Sequence, residues 1–357
     1  MCMCGMSLSR RQFAALLASA GLLPGGRAEA AEVSSAAKEI LQKTLTVDAH
    51  SHARGLVFGA ELNDSLASSM REGMLSAVCL AHVPDGPVIG RTPAGVLGLV
   101  RTPKSGDLYK AHLGRLDWMD RFSKGYGMRR VLTLAELMDA KAKGEPALIQ
   151  DIEGCDFLDG KLERLGEAHK RGVRVIQLVH YIPNDIGDFQ TGPVVHNGLT
   201  EFGASVIREL NRLGVLVDVA HATEPMVRAA VKVATKPLLL SHAALQGSKA
   251  QGNSPLAGRQ ISAEHARLVA ETGGVVGLWH FFPGLERFVD GIREMVDVVG
   301  VDHVGVGTDQ QTAPGVMQDY AGYGSLADAM LKAGFGAEET AKILGGNFIR
   351  VFEKALG

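Results

Sequence analysis

Seven residues able to hold a metal ion, or to work beside one, stand at or just beyond the ends of short apolar runs: His50, His52, Glu153, His180, His221, His242 and Asp309. Imidazoles and carboxylates without a thiolate suit Zn(II), and Mn, Fe or Co fit the same donors. Two such cations sharing a carboxylate and a water lower the pKa of that water from about 15.7 towards neutrality, which makes a nucleophile for hydrolysis. Spacing alone decides little, because twelve histidines in 357 residues readily make a His-x-His pair by chance. On a strand, however, residues i and i+2 point the same way, so His50 and His52 at a strand end can aim both rings at one ion.

The elements that must position these residues are legible as eight apolar runs: Leu45 to Val47, Leu75 to Leu80, Ala147 to Ile152, Val173 to Val179, Val215 to Val219, Pro237 to Leu240, Gly274 to Leu278 and Val304 to Gly307. Continuous apolar runs mark strands buried on both faces, the habit of a parallel sheet. Between them "DFLDGKLERLGEAHKRG", "TEFGASVIRELNRLG", "TEPMVRAAVKVAT" and "SAEHARLVAETGG" carry apolar residues at helical spacing, and most end in Gly. The alternation predicts an α/β fold, a (β/α)8 TIM barrel of the metal-dependent hydrolase type. A doubly wound sheet would more often show a glycine-rich phosphate turn after its first strand, and this chain has none. In a barrel the C-terminal ends of all strands meet at one mouth, so the seven residues are expected to converge there. Of the other histidines, His112, His169 and His265 fall in helical patterns and read as solvated or capping, and His303 opens the eighth run at the opposite face. His82, His196 and His280 lie on the mouth side as structural or supporting groups.

The N-terminus, "MCMCGMSLSRRQFAALLASAGLLPGGRAEAAEV", places Arg10-Arg11 before an apolar stretch from Phe13 to Leu23, too short to span a bilayer, and then the small-x-small site Ala28-Glu29-Ala30. It is similar to a twin-arginine export signal, so residues 1–30 are expected to be a signal, residues 31–357 a single domain, and the mature protein periplasmic or secreted. No other run approaches the ~18 apolar residues of a membrane helix. Removing Arg10, Arg11, Arg27 and Glu29 takes the formal charge from −2 to −4, and with no basic cluster nucleic acid is excluded as a partner. Cys79 and Cys155 remain after removal, with no disulfide expected between them.

From about residue 44 onward the chain resembles the membrane (renal-type) dipeptidases, peptidase family M19 of the amidohydrolase superfamily. The stretches that carry the resemblance are "IEGCDFLDGKLERLGEAHKRGVRVIQLVHYIPN", "GLTEFGASVIRELNRLGVLVDVAHAT", "KPLLLSHAAL", "DHVGVGTD" and "ILGGNFIRVF", in that order. The resemblance implies that His50 and His52 bind one zinc, that His221 and His242 bind a second, and that Glu153 bridges the two. It makes Asp309 the proton acceptor and donor, sets His180 against the scissile carbonyl oxygen, and matches Arg259 in "GRQIS" to the arginine that grips the free carboxylate of a dipeptide. It also makes a homodimer the oligomeric state to look for. An arginine holding a carboxylate bidentately would select substrates one residue from their C-terminus. A general base beside the metal and an oxyanion-stabilising imidazole complete the chemistry of amide hydrolysis.

The chain departs from that pattern in places. His50-Ser51-His52 stands where the family usually has His-x-Asp, which leaves the site about one charge more positive. Cys155 replaces a usual glycine and reads as a small-residue substitution, not a soft ligand. Gln310-Gln311 replaces the usual residues after the final aspartate, and the segment from His242 to Arg259 is longer than usual. The loops "HVPDGPVIGRTPAGVLGLVRTPKSGD" and "IPNDIGDFQTGPVVHNG" are long, read as structureless, and would overhang the mouth as substrate walls or lid. The expected function is a binuclear metal-dependent dipeptidase. The rivals are another amidohydrolase acting on a lactone or an N-acyl or D-aminoacyl amide, and a catalytically inactive metal or peptide binder, which would not need both Glu153 and Asp309.

Overall fold

A strand forms in each of the eight apolar runs, and three short extra strands lie between the second and the third. In chain order they are β1 (Val47–Ser51), β2 (Ala77–His82), β3 (Ile89–Arg91), β4 (Leu97–Leu99), β5 (Arg129–Arg130), β6 (Ala147–Glu153), β7 (Val173–Gln177), β8 (Leu216–Asp218), β9 (Leu239–Ala243), β10 (Val275–Leu278) and β11 (Val304–Val306). The structure is a computed structural model and describes residues 33–52, 65–93, 95–252, 256–310 and 315–357. The export signal expected at residues 1–30 and the residue Gln311 lie outside the described residues. No helix among the described residues is long and apolar enough to cross a membrane.

The sheet runs β1-β2-β6-β7-β8-β9-β10-β11, and every neighbouring pair is parallel. Its two ends meet: the Asp309 amide donates to the His50 carbonyl at 2.9 Å, the His52 amide donates to the Gln310 carbonyl at 3.2 Å, and Ser51 pairs with Gln310. The result is the expected (β/α)8 barrel. Nearly every residue of the eight barrel strands is buried, which is why the runs are continuously apolar and do not alternate. At the foot of the barrel, Val47, Ala77, Ala147, Leu216 and Val275 pack against Phe348, Val351 and Phe352 of the helix Asn347–Leu356. That helix covers the end remote from the histidines.

Local signals set the surrounding helices. In "TEFGASVIRELNRLG", Thr200 accepts from the Gly203 amide, the helix Glu201–Leu213 buries Ala204, Val206, Ile207 and Leu210, and Gly214 ends it at φ 74°. Thr223 and Ser262 cap the next two helical patterns in the same way, accepting from the amides of Met226 and His265.

Three expectations are corrected. The loop after β2 is not structureless, because β3 and β4 form an antiparallel hairpin within it, with Gly90 opposite Gly98. The loop after β7 is tied down by Asp188, whose carboxylate accepts from the amides of Val195, His196 and Gly198 at 2.8–2.9 Å. His112 and His265 are not solvated caps but buried on the inward faces of their helices. The His112 ring stacks on Phe157 at 4.1 Å and hydrogen-bonds His82 at 3.0 Å, and burial pushes its pKa down to about 3; that of His265 falls to about 4 for the same reason. Both rings are therefore neutral core groups. Cys79 and Cys155 are free, buried thiols.

Gly277 in β10 and Gly307 after β11 let three strand backbones crowd together, since a Cβ at either position would run into the Ser241 carbonyl oxygen. Gly277→Ala should therefore destabilise the barrel by about 1–3 kcal/mol, the cost of overpacking an interior. A lower midpoint in urea unfolding checks this, and an unchanged midpoint would show that β9 and β10 separate at no cost.

Candidate active site

Glu153 is the last residue of β6, and its carboxylate sits among five imidazoles at the barrel mouth. Oε1 lies 3.1 Å from His221 Nε2, 3.4 Å from His180 Nε2, 3.6 Å from His50 Nε2 and 3.7 Å from His242 Nε2. Oε2 faces His52 Nε2 at 3.2 Å, and that nitrogen is also 3.3 Å from Asp309 Oδ1. The side chain of Glu153 is 3% exposed, so the carboxylate itself is largely shut off from bulk water. All seven residues expected at the mouth are thus brought together by strand ends that are remote in sequence. Three ligand groups result, each with its atoms within 4.8 Å of one another: His50, His52 and Asp309; His50, Glu153 and His242; and Glu153, His180 and His221.

Most of the rings are pinned from behind. His50 Nδ1 is 3.0 Å from Asp151, His52 Nδ1 is 3.2 Å from the Ala81 carbonyl, His242 Nδ1 is 2.9 Å from the Ser241 hydroxyl, and His180 Nδ1 is 2.9 Å from Asp85. Such outer hydrogen bonds fix the tautomer and turn Nε2 inward, as metal sites require. Two details show that a metal fits. His50 Nε2 is buried with no hydrogen-bond partner. The Nε2 atoms of His221 and His242 face each other at 3.2 Å, where at most one can donate. Inward nitrogens crowded around a buried carboxylate are the donor set of a divalent cation, and neutral imidazole with carboxylate suits zinc and its first-row neighbours.

The electrostatics divide the five rings, with His50 and His52 shifted up and His221 and His242 shifted down. Burial by itself would raise the Glu153 pKa, but His180, His50 and His221 hold it well below the usual carboxylate range. Burial pulls His221 and His242 well below the usual histidine value, which keeps them neutral and able to ligate. For His52 burial is outweighed by hydrogen bonds to Asp309 and Glu153, and its pKa rises to about 9. Two of these residues, His221 (φ 65°) and Asp309 (φ 53°), lie in the left-handed region, which costs a non-glycine residue about 1–2 kcal/mol. Strain of this kind gathers at functional sites.

Arg259 is 4% exposed, in the short 3-10 turn Ala257–Arg259. Its Nη2 lies 3.1 Å from His242 Nε2, its Nη1 donates to Gln190 at 3.4 Å, and its guanidinium carbon is 5.9 Å from the ring centres of Tyr181 and Trp279. Among the described residues no carboxylate pairs with this buried cation, so it presents a site for an anion from outside. A cavity of about 230 Å³ opens over Glu153, His180, His221, Arg259 and Asp309. Asp85, which holds His180, escaped the sequence reading: Pro-Asp-Gly reads as a turn signal, and nothing local shows a ring 95 residues away. Cys155 joins none of the three ligand groups and hydrogen-bonds the Gln177 carbonyl.

The fold has solved counterparts. An amidohydrolase from Pseudomonas aeruginosa superposes with a TM-score of 0.74 over 90% of this chain and 99% of that one, at 19% identity. A metallo peptidase from Rhodobacter sphaeroides, solved with a phosphinate mimic of the dipeptide L-Ala-D-Ala, superposes with a TM-score of 0.71 over 87% of this chain and 99% of that one, at 21% identity. In sequence, the dipeptidase tcpJ of Claviceps purpurea is 28% identical over 256 residues, covering 67% of this chain and 59% of that protein. Human dipeptidase 3 is 25% identical over 258 residues, covering 68% and 51%. The matched region thus spans about half to three-fifths of the length of these curated relatives. The sequence pattern of the membrane dipeptidase family, peptidase family M19, matches residues 34–356, and this chain belongs to that family.

Proposed function

We propose that the protein is a binuclear, divalent-metal-dependent dipeptidase, most consistent with Zn(II), that hydrolyses the amide bond of dipeptides bearing a free C-terminal carboxylate. The observation that carries the reading is the Glu153 carboxylate, one oxygen turned to His52 and the other to His221, shared by two of the three ligand groups. His50 and His52 would hold one cation, His221 and His242 the other, with Glu153 between them. Cations bound there would supply Lewis acidity and a water of lowered pKa.

The chain's own residues supply the rest. Arg259 offers a buried guanidinium, paired with no carboxylate among the described residues, to the substrate carboxylate, which fixes how far the amide bond lies from the end of the peptide. His180, oriented by Asp85, presents Nε2 to the scissile carbonyl oxygen as negative charge develops on it. Asp309, whose side chain is 17% exposed beside His52, takes a proton from water and delivers it to the departing amine. The cavity of about 230 Å³ is of a size for a dipeptide. The Arg10-Arg11 signal supports export to the periplasm, with the barrel folded and metal already loaded.

Arg259 provides the test. The metal-loaded protein should cleave a dipeptide with a free carboxylate about 10- to 100-fold better than its C-terminal amide, the range expected of charge-assisted hydrogen bonds. Arg259→Ala should erase that ratio by slowing the free acid alone. Equal rates on acid and amide in the unaltered protein would overturn the carboxylate requirement, and binding without turnover would favour an inactive binder.

A further inference from the structure

We infer that the site selects dipeptides by an uncharged, apolar N-terminal side chain, which packs on the β3–β4 hairpin. This rests on the dipeptidase reading above and adds the part of the substrate that the metal centre does not specify.

The ring of strands carries the argument. In the order β1-β2-β6-β7-β8-β9-β10-β11, β2 and β9 stand four places apart among eight, on opposite sides of the mouth. Arg259 follows β9, and the hairpin follows β2. A dipeptide whose carboxylate reaches Arg259 and whose amide lies over Glu153 must therefore direct its N-terminal residue to the hairpin side. There the cavity is lined by Val83, Ile89 and Leu97, with Gly86 and Gly90 leaving space between them. None of these five carries a charge. Among the described residues, the carboxylates lining the cavity are Glu153, at the end of β6, and Asp309, beyond β11, and neither belongs to the hairpin side.

Leu97 adds an independent observation. It lines the cavity yet is 47% exposed, an apolar side chain left half in water at the rim of a site otherwise deeply buried. Its exposed face is covered when an apolar side chain lies against it, and a charged one there would lose water and gain no partner. Pockets built in this way discriminate charged from apolar side chains in kcat/KM, because a buried charge without a counter-ion is rejected.

The experiment uses the metal-loaded full chain and a set of dipeptides that share C-terminal alanine: Leu-Ala, Phe-Ala, Lys-Ala and Asp-Ala. The expected kcat/KM for Leu-Ala and Phe-Ala exceeds that for Lys-Ala and Asp-Ala by about tenfold or more. Leu97→Glu, at a half-exposed hairpin position outside the barrel strands, should move the Lys-Ala to Leu-Ala ratio towards Lys-Ala by about tenfold. The ratio within one preparation is independent of how much enzyme is folded or metal-loaded. Equal kcat/KM across the set, or a ratio unmoved by Leu97→Glu, overturns this inference and leaves the dipeptidase reading intact. Failure to cleave any of the four overturns the dipeptidase reading, and this inference with it.

Discussion

Glu153→Gln should lower bound divalent metal from about two equivalents per chain to one or fewer, and reduce kcat/KM by more than about 100-fold. Replacing a group that merely supports a metal ligand already costs about 10- to 100-fold, and Glu153 stands one step closer. An amide of the same shape keeps one acceptor oxygen and turns an N–H pair towards imidazole nitrogens now 3.1–3.7 Å away. It also removes the negative charge that would offset the two proposed cations in a site where the carboxylate is 3% exposed. Metal analysis of the dialysed proteins reads the result directly. Retention of both equivalents in Glu153→Gln would remove the bridging role, whatever happened to activity.

Asp309→Asn should separate proton transfer from metal binding. With the asparagine, kcat is expected to fall by about 10²- to 10⁴-fold, the usual contribution of a positioned acid–base group, while metal content stays at the level of the unaltered protein. Joint loss of metal and activity would instead make Asp309 a ligand, a role its 3.3 Å approach to His52 Nε2 allows geometrically.

Much of the fold was legible because parallel barrel strands are buried on both faces and write themselves as continuous apolar runs. All eight runs, from Leu45–Val47 to Val304–Gly307, contain or adjoin an observed strand. The metal-competent histidines were legible for a related reason: imidazoles are rare in such runs and stand out where a strand reaches the mouth, whereas Asp48, Asp151 and Asp218 lie within the strands themselves. The helical histidines failed for the opposite reason. A helix has a buried and an exposed face within every turn, and nothing near His112 or His265 says which face it occupies; Phe157 and His82 decide for His112 from 45 residues after it and 30 before it.

The alternation of strand and helix, the placing of His50, His52, Glu153, His221, His242 and Asp309 at strand ends, and the buried, largely apolar character of the strands follow from the amino-acid order itself, since each depends on neighbours a few residues away. The closing of β1 on β11, the turn of Asp85 to His180, the seating of Arg259 beside Tyr181 and Trp279, and the hairpin facing it across the mouth were decided only in three dimensions. Each joins segments far apart in the chain, and the energy of such a contact depends on a distance that no local pattern of residues encodes.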